Sequence, residues 1–490
     1  MKKLIIYTVL ALPLFASAQN FNDALRYSRL EYLGTARFNA LGGSMGAVGG
    51  DLSALSVNPA ALGVYRNSEF TLSTDFMVDT RNTTFRNSKR DENFVKFNLG
   101  NIGYVGAYKG DPNGWKNYSF AVGYNRLNNF NNQERLYGND ASSSIVDDYV
   151  LTLNEVNATT SDVWNYAYPY GPSEAYETYL IDSINPNVHA RSVYFQDNVE
   201  QSRRIARSGR QGETFFSFGG NYLDRLALGA TIAFQSIHFE SNKIFTEKYT
   251  YNPPAQSDEF LANEYSEESN LITSGTGVNF KIGAIYRVTN SFRVGGSIHS
   301  PTFFGMTESY TYQAKSKFSD GQSFESLKTE ATYQYRLRTP TRYNASLAYV
   351  FGEKGLINVD YELVNYAAAR LNDANQYEFD FAEINNEITS TLTNSQNLRV
   401  GAEYRIEPFV LRAGYRYESN PFQSNVNLKP DETRNTFSIG TGFRSKNYNV
   451  DLTYMQSNMS YIDPVYNTSE AAAKTNQAAH HLMFTVGWKW

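Results

Sequence analysis

The chain ends with the stretch HHLMFTVGWKW, residues 480–490. Every second position in it carries an apolar side chain: Leu482, Phe484, Val486, Trp488 and Trp490. The positions between them are polar or small, apart from Met483. Successive side chains of a β-strand point to opposite faces, so this stretch predicts a strand with one apolar face.

The same alternation recurs upstream, with charged residues on the second face. In NLRVGAEYRI (397–406) and FVLRAGYRYE (409–418) that face carries Arg399, Glu403, Arg405, Arg412, Arg416 and Glu418. A soluble barrel packs its apolar face inward, whereas a membrane barrel turns it to lipid and encloses the polar face. Alternation alone fits both arrangements, so the number and spacing of the segments must decide.

Fourteen such segments follow one another, joined alternately by tight turns and long connections. They lie near 68–79, 93–110, 115–128, 213–223, 225–250, 269–288, 290–317, 326–351, 356–370, 395–406, 408–419, 434–445, 447–460 and 477–490. An even number of strands, with short turns at one rim and long loops at the other, is typical of bacterial outer-membrane barrels. Pro340 lacks a backbone N–H, so we expect a kink or a break in the 326–351 segment. The segments 225–250 and 290–317 exceed the length needed to cross a bilayer and should project beyond it.

Composition agrees with an exported membrane barrel. Residues 1–18, MKKLIIYTVLALPLFASA, have the charged start, apolar centre and small-residue end of a cleaved signal peptide. No run of 18 apolar residues follows, which excludes a helical span. The chain has no Cys, and its formal net charge of −5 gives no reason to expect nucleic acid as a partner.

Motifs for catalysis or for cofactor binding are missing from the sequence. The glycine-rich run GGSMGAVGG lacks the Lys-Ser/Thr ending of a phosphate loop, and no Gly-x-Ser-x-Gly elbow occurs. The five histidines are scattered, and adjacent His480 and His481 face opposite sides of a strand. We therefore expect no metal, no haem or other cofactor, and no enzyme. An outer-membrane enzyme with a site at the barrel rim is the alternative to that last expectation.

The N-terminal part of the mature chain does not follow the strand pattern. Residues 40–63 read ALGGSMGAVGGDLSALSVNPAALG, in which Asn58 suits a helix N-cap and Pro59 a first helical turn. This segment, with its Asn58-Pro59-Ala60 motif, resembles the FadL/TodX-type outer-membrane family of long-chain fatty-acid and aromatic-hydrocarbon transporters. The DYELVNY stretch at 360–366 is similar too, and the aromatic end resembles the C-terminal strand of bacterial outer-membrane barrels.

The resemblance implies an all-β fold: a 14-stranded antiparallel transmembrane β-barrel with an N-terminal hatch inside the lumen. Residues 1–18 would be the signal peptide, 19–65 the hatch with short helices, and 66–490 the barrel, with a long extracellular loop at 129–212. Phe484, Trp488 and Trp490 would form the C-terminal assembly strand, and barrel-assembly machinery would be a partner during insertion. The location implied is the outer membrane of a Gram-negative bacterium.

The function implied is passive uptake of hydrophobic compounds, with fatty-acid-like ligands first. Exit in this family is thought to run sideways through a strand kink into the membrane. The charges of the 397–418 segments offer two interpretations, a carboxylate-binding lumen or mutual pairing that holds the hatch. Two other functions stay open: a FadL-like barrel that serves a secretion or assembly machine and contacts other outer-membrane proteins through its outer loops, and a secreted soluble β-sandwich.

Overall fold

The computed structural model describes residues 21–192, 199–250, 261–375, 380–424, 431–466, 469 and 471–490. The expected signal peptide, residues 1–18, lies outside the described residues. No helix within the described ranges is both long enough and apolar enough to cross a membrane.

Short helices and glycine turns form the N-terminal segment, residues 21–65, which we call the hatch. It contains helix α1 (Phe21–Ser28), helix α2 (Ala36–Ala40) and two 3₁₀ helices, Ser53–Ser56 and Pro59–Val64. The side chains of Thr35 and Asn58 cap α2 and the second 3₁₀ helix by accepting hydrogen bonds from backbone N–H groups. Apart from one bridge at Leu33, the hatch pairs with no wall strand, so local bonds satisfy much of its backbone.

Strands follow almost to the end of the chain. The first part contains β1 (Glu69–Phe85), β2 (Ser88–Lys109), β3 (Trp115–Asn129), β4 (Asn132–Ala141), α3 (Ile145–Glu155), α4 (Thr160–Trp164), α5 (Pro172–Glu177), β5 (Ile181–Asn185), β6 (Val188–Arg191), β7 (Val199–Tyr222), β8 (Leu226–Tyr249) and β9 (Ala262–Arg287). The second part contains β10 (Phe292–His299), β11 (Phe303–Phe318), β12 (Ser323–Glu325), β13 (Thr329–Arg338), β14 (Arg342–Val350), β15 (Gly355–Asn365), a 3₁₀ turn (Tyr366–Ala368), β16 (Arg370–Asp373), α6 (Ala382–Thr391), β17 (Asn394–Ile406), β18 (Phe409–Glu418), β19 (Arg434–Arg444), β20 (Tyr448–Pro464) and β21 (Ala472–Lys489).

These strands close into an antiparallel barrel of fourteen wall strands, which confirms the expected fold. Four wall strands consist of two segments each: β3 with β4, β10 with β11, β13 with β14, and β15 with β16. Pairing of β1 with β21, from Glu69 opposite Lys489 onward, closes the wall. Pro340 does interrupt its strand, but β14 and β13 pair with β10 and β11 at one constant register offset, so the count of fourteen is unchanged.

The two faces of the wall differ as a membrane barrel requires. Along β17, Leu398 is exposed while Arg399, next to it, is 1% exposed. The upper half of β8 carries polar outward residues such as Ser236, Glu240 and Lys248, so this strand continues beyond the apolar belt, as its length predicts. Apolar side chains therefore face the surroundings and charges face the lumen.

Two connections are shorter than the sequence predicts. Residues 80–92, expected as a loop, continue the β1–β2 hairpin. Residues 129–212 are not one loop, because β4 and β7 occupy its ends, and α3, α4, α5 and the β5–β6 hairpin lie between them. Strands beyond the membrane have water on the outside, so they lose the apolar alternation that marks a strand in the sequence.

Candidate functional site

The hatch lies against the inner wall at backbone distance. A Cβ atom on Gly283 of β9 would lie 2.0 Å from Asn58 Oδ1, and one on Gly229 of β8 would lie 2.3 Å from the Pro59 carbonyl oxygen. On the wall strand β18, a Cβ on Gly414 would lie 2.1 Å from the backbone nitrogen of Gly42. Glycine is needed at these wall positions because any side chain would displace the hatch.

Asn58 joins the hatch to itself and to the wall. Its Nδ2 donates to the Gly46 carbonyl oxygen at 2.6 Å and to the Ala284 carbonyl oxygen of β9 at 3.2 Å, while its Oδ1 accepts from the Ala60 N–H at 3.0 Å. The side chain is 1% exposed. Pro59 occupies the first position of the 3₁₀ helix, and Ala60 packs against wall residues of β8 and β9. The Asn-Pro-Ala motif is thus a point of attachment.

Charges of the wall hold the hatch at a second level, near the short-turn end. Glu403 accepts from Arg37 of the hatch at 3.2 Å and from Arg412 at 2.8 Å, and Arg412 also contacts Asp451 at 2.8 Å. Arg405 bonds to Glu403 at 3.0 Å from the rim, where its side chain is half-exposed. These buried groups are paired with one another, so each arginine already has an acid partner.

Further along the lumen, the remaining predicted charges also contact hatch groups or their partners. Arg416 donates from Nε to the Gly42 carbonyl oxygen at 3.1 Å and from Nη1 to the Glu31 carbonyl oxygen. Arg399 lies over the ring of Tyr32, 5.1 Å from its centroid, and contacts Glu362 at 3.1 Å. The wall residue Glu418 lies 3.7 Å from Arg29 of the hatch and from Arg434 of β19.

Within the hatch, Asp51 is buried and serves as an acceptor. It accepts from the Thr35 hydroxyl and from the Ser53 N–H, each at 2.8 Å. Burial raises the pKa of the Asp51 carboxyl, and the nearby Arg37 guanidinium opposes that rise only in part. Protonation of this carboxyl therefore favours the docked hatch.

The wall strands β2 and β3 separate above one level. Their pairing runs from Asn117 opposite Lys109 up to Asn125 opposite Asn101. Within the described residues, β2 above that point pairs only with β1, while the end of β3 and most of β4 pair with β7. We call this unpaired boundary, between residues 88–100 and 126–141, the seam. A bulge marks its start on each side, because Gly100 has no partner in β1 and the β3 register shifts between Arg126 and Asn128.

Behind the seam, hatch backbone bonds to β3 where β2 no longer does. The N–H groups of Glu31 and Tyr32 donate to the Leu127 carbonyl oxygen at 2.7 and 3.1 Å, and Leu33 forms a bridge to Arg126. At this level Arg126 Nε donates across the seam to the Leu99 carbonyl oxygen at 3.1 Å. Outward of it lie three exposed apolar side chains: Val95, Phe97 and Leu99. Backbone of the hatch thus separates the lumen from an apolar exterior.

A family model matches the greater part of the barrel wall. The model described as outer membrane protein transport protein (OMPP1/FadL/TodX) matches residues 221–487, more than half of the chain. The chain belongs to the OMPP1/FadL/TodX family. This confirms the resemblance seen in the sequence and makes the protein an outer-membrane β-barrel.

Solved structures show the same fold at low sequence identity. A FadL homologue from Pseudomonas aeruginosa is 12% identical, with a TM-score of 0.56 over 94% of this chain and 99% of that one. The toluene transporter TodX from Pseudomonas putida is also 12% identical, with a TM-score of 0.53 and the same coverage. A sequence search of curated proteins found no match.

Two attachments of this OMPP1/FadL/TodX-family hatch were not predicted. Lys281 donates to Glu213 at 2.6 Å, and Glu213 also accepts from the Ser56 hydroxyl at 2.9 Å. Asp360 accepts from the backbone N–H groups of Met45 and Gly46 at 3.0 and 2.9 Å. Residues 356–364, LINVDYELV, alternate apolar and polar side chains, and Asp360 lies on the polar face. Nothing in the sequence indicates which hatch groups it meets.

Proposed function

We propose that this protein passively carries a hydrophobic compound across the outer membrane and releases it sideways through the seam when the hatch shifts. Family membership supports transport, and the seam supports the route. The observation that carries the proposal is the replacement of wall pairing by hatch pairing at Leu127, because a shift of the hatch then opens the wall at the same point.

Physical chemistry favours this route for an apolar ligand. Transfer of apolar surface into water is unfavourable, so a path that ends in the membrane avoids an aqueous step. The exterior of the seam is apolar at its lower end, where two backbone hydrogen bonds and the Arg126 bridge close it. Further out, the ion pair of Arg135 with Glu92 at 3.3 Å crosses the seam on its exposed side. Hydrogen bonds of this kind contribute about 1 kcal/mol each, so thermal motion can exchange them.

Fatty acids are the first ligand class that we propose, as the resemblance of residues 40–63 predicts. Toluene is the second test compound, because a structural relative is a toluene transporter. The enclosed arginines are paired with acids or with hatch carbonyls, so we infer that they hold the hatch and do not form a ready carboxylate site.

We also propose the membrane topology that the family resemblance implies. Residues 1–18 act as a cleaved signal peptide, the short turns face the periplasm, and α3 to α5 cover the extracellular mouth. Phe484, Trp488 and Trp490 are outward-facing and exposed, which suits recognition of the C-terminal strand by barrel-assembly machinery before lipid surrounds it.

A reducible cross-link across the seam tests the route. The chain contains no Cys, so paired cysteines react without background. A Leu99→Cys/Arg126→Cys variant, joined by a short reducible thiosulfonate linker, should lose uptake of labelled dodecanoate or toluene in cells and regain it after reduction. The control Tyr104→Cys/Val122→Cys joins the same strands at a register pair below the seam and should keep uptake in both states.

The outcomes separate the rival functions. Uptake that persists with the seam cross-linked would refute sideways release. If the wild-type protein shows no uptake and copurifies in fixed stoichiometry with a secretion or assembly machine, the protein is a partner of that machine and the transport proposal is wrong.

A further inference from the structure

The wall has a second interruption, away from the seam, where three neighbouring wall strands break at one level. The breaks lie at Ser300–Thr302 between β10 and β11, at Thr339–Thr341 between β13 and β14, and at Tyr366–Ala369 between β15 and β16. The ladder resumes beyond each of them. We call the first two segments, which face each other, the proline break.

Two prolines face each other in the proline break. His299 pairs with Arg342 and Phe303 with Arg338, and the same offset places Pro301 opposite Pro340. Neither proline has an N–H to donate. Side chains replace only part of the ladder: the Thr302 N–H donates to the Thr339 hydroxyl at 2.9 Å, and the Phe280 N–H of β9 donates to the Ser300 hydroxyl at 2.9 Å. The return bonds are from backbone to backbone, from the Thr339 N–H to the Thr302 carbonyl oxygen at 3.0 Å and from the Ser300 N–H to the Phe280 carbonyl oxygen at 2.9 Å.

A small polar cavity of about 20 Å³ lies between the proline break and the hatch. Ser28 of α1 and Asn279 of β9 line it, beside Thr302, Thr339 and Pro340. The Ser28 hydroxyl and Asn279 Oδ1 have no hydrogen-bond partner among the described residues, and both residues are at least 95% buried. Buried polar atoms are nearly always paired, so these two atoms indicate a missing polar group.

The size and charge of the cavity limit what that group can be. A volume of about 20 Å³ holds one group the size of a water molecule. The cations at the cavity already have acid partners: Lys281 is paired with Glu213, and Arg342 is paired with Glu362. The cavity therefore lacks the free charge and the room that a carboxylate needs, and it suits a hydroxyl, which both donates and accepts.

Outside the proline break, the surface is apolar. Phe280, Ile298, Phe303 and Tyr343 are exposed on its outer side, next to the membrane. A hydrocarbon chain that parts the hydrogen-bonded Thr302–Thr339 pair beside the two prolines would reach this apolar surface from the polar cavity. The arrangement matches an amphiphile with one small polar end.

We propose that the cavity is a second ligand site, which takes a hydrophobic compound carrying a single hydroxyl. The hydroxyl donates to Asn279 Oδ1 and accepts from the Ser28 hydroxyl, while the hydrocarbon part leaves between Pro301 and Pro340 when the Thr302–Thr339 pair opens. The proposal rests on the proposed function in that the ligand is a hydrophobic compound, but it requires neither the seam nor net transport.

Photolabelling of the full-length protein in liposomes tests this site. The probe is dodecanol with a diazirine near its hydroxyl, and the reference probe is the same chain without the hydroxyl. We expect dodecanol adducts at residues 300–302 and 339–341, and unlabelled dodecanol should compete with them. Ser28→Ala should raise the half-competing concentration about fivefold, since one neutral hydrogen bond is lost.

A matched control isolates the effect of the cavity. Ser119→Ala removes another buried, unpaired hydroxyl, on β3, and should leave labelling unchanged. Equal labelling by both probes, or an unchanged competing concentration in Ser28→Ala, would show that the cavity holds water only and would overturn the proposal. The seam experiment measures uptake, whereas this experiment measures labelling at the proline break, so either proposal can fail without the other.

Discussion

Asn58 holds the hatch to the wall, so we predict that Asn58→Ala loosens the hatch by a measurable amount. The substitution removes three hydrogen bonds, to Gly46, Ala60 and Ala284. The bonds to Gly46 and Ala60 lie within the hatch, so docking loses the one bond to Ala284 of the wall, at a net value of about 1 kcal/mol. A factor of ten in an equilibrium constant corresponds to about 1.4 kcal/mol, so the undocked fraction should rise roughly fivefold.

The assay uses a single introduced cysteine, Ala61→Cys, as a reporter. Ala61 belongs to the hatch and is fully buried inside the barrel. Because the chain has no native Cys, we expect the reporter alone to react with a maleimide, and only when the hatch undocks. When opening and closing are faster than labelling, the labelling rate follows the open fraction. We expect a rate roughly fivefold higher in Asn58→Ala/Ala61→Cys than in Ala61→Cys alone.

The matched control is an asparagine with two bonds outside the hatch. Asn154 bonds to the N–H and the carbonyl oxygen of His189, each at 2.9 Å, and its replacement by Ala should not change the labelling of the reporter. A labelling rate that rises less than about threefold in a correctly folded Asn58→Ala variant would refute the assignment of Asn58 as an attachment point.

Three further predictions test how the hatch is held in the barrel. Gly283→Ala places a Cβ 2.0 Å from Asn58 Oδ1 and should raise labelling of the Ala61→Cys reporter, whereas Gly305→Ala, which meets no atom within 4 Å, should not. Glu403→Gln leaves Arg37 without its acid and Arg412 with Asp451 alone, and it should destabilise the protein by about 3–5 kcal/mol, measured as a lower midpoint of denaturant unfolding. Burial raises the pKa of Asp51, so the contribution of this carboxyl to docking is greatest at low pH and is lost as pH rises through that pKa. Labelling should therefore increase from pH 4 to 8 less steeply in Asp51→Asn/Ala61→Cys than in Ala61→Cys alone.

The barrel could be predicted from the sequence because its signal is local. Each membrane-spanning strand alternates apolar and polar residues, as at Leu398 and Arg399, and each tight turn is short. The Asn58-Pro59-Ala60 helix could be predicted in the same way, from an N-cap and a first-turn proline. The break at Pro340 was also expected, since a missing N–H is visible in the sequence.

The seam and the hatch contacts could not be predicted, because they depend on residues far apart in the chain. Gly100 forms a bulge, but a glycine within a strand has many other uses. The partners of Arg416, which are the carbonyl oxygens of Gly42 and Glu31, follow only from the folded position of the hatch. The ends of residues 129–212 were expected as loop because strands outside the membrane lack an apolar face.

The most direct test of sideways release is to locate a hydrophobic compound in the protein by anomalous scattering of bromine. Crystals of the full-length protein would be soaked with a brominated alkane or a bromobenzene, and bromine peaks would be placed relative to Leu99, Arg126 and the hatch. Sideways release predicts a peak at the seam, between the exterior apolar side chains and residues 31–34. Peaks that follow a path past the hatch to the short-turn end, with none at the seam, would contradict it.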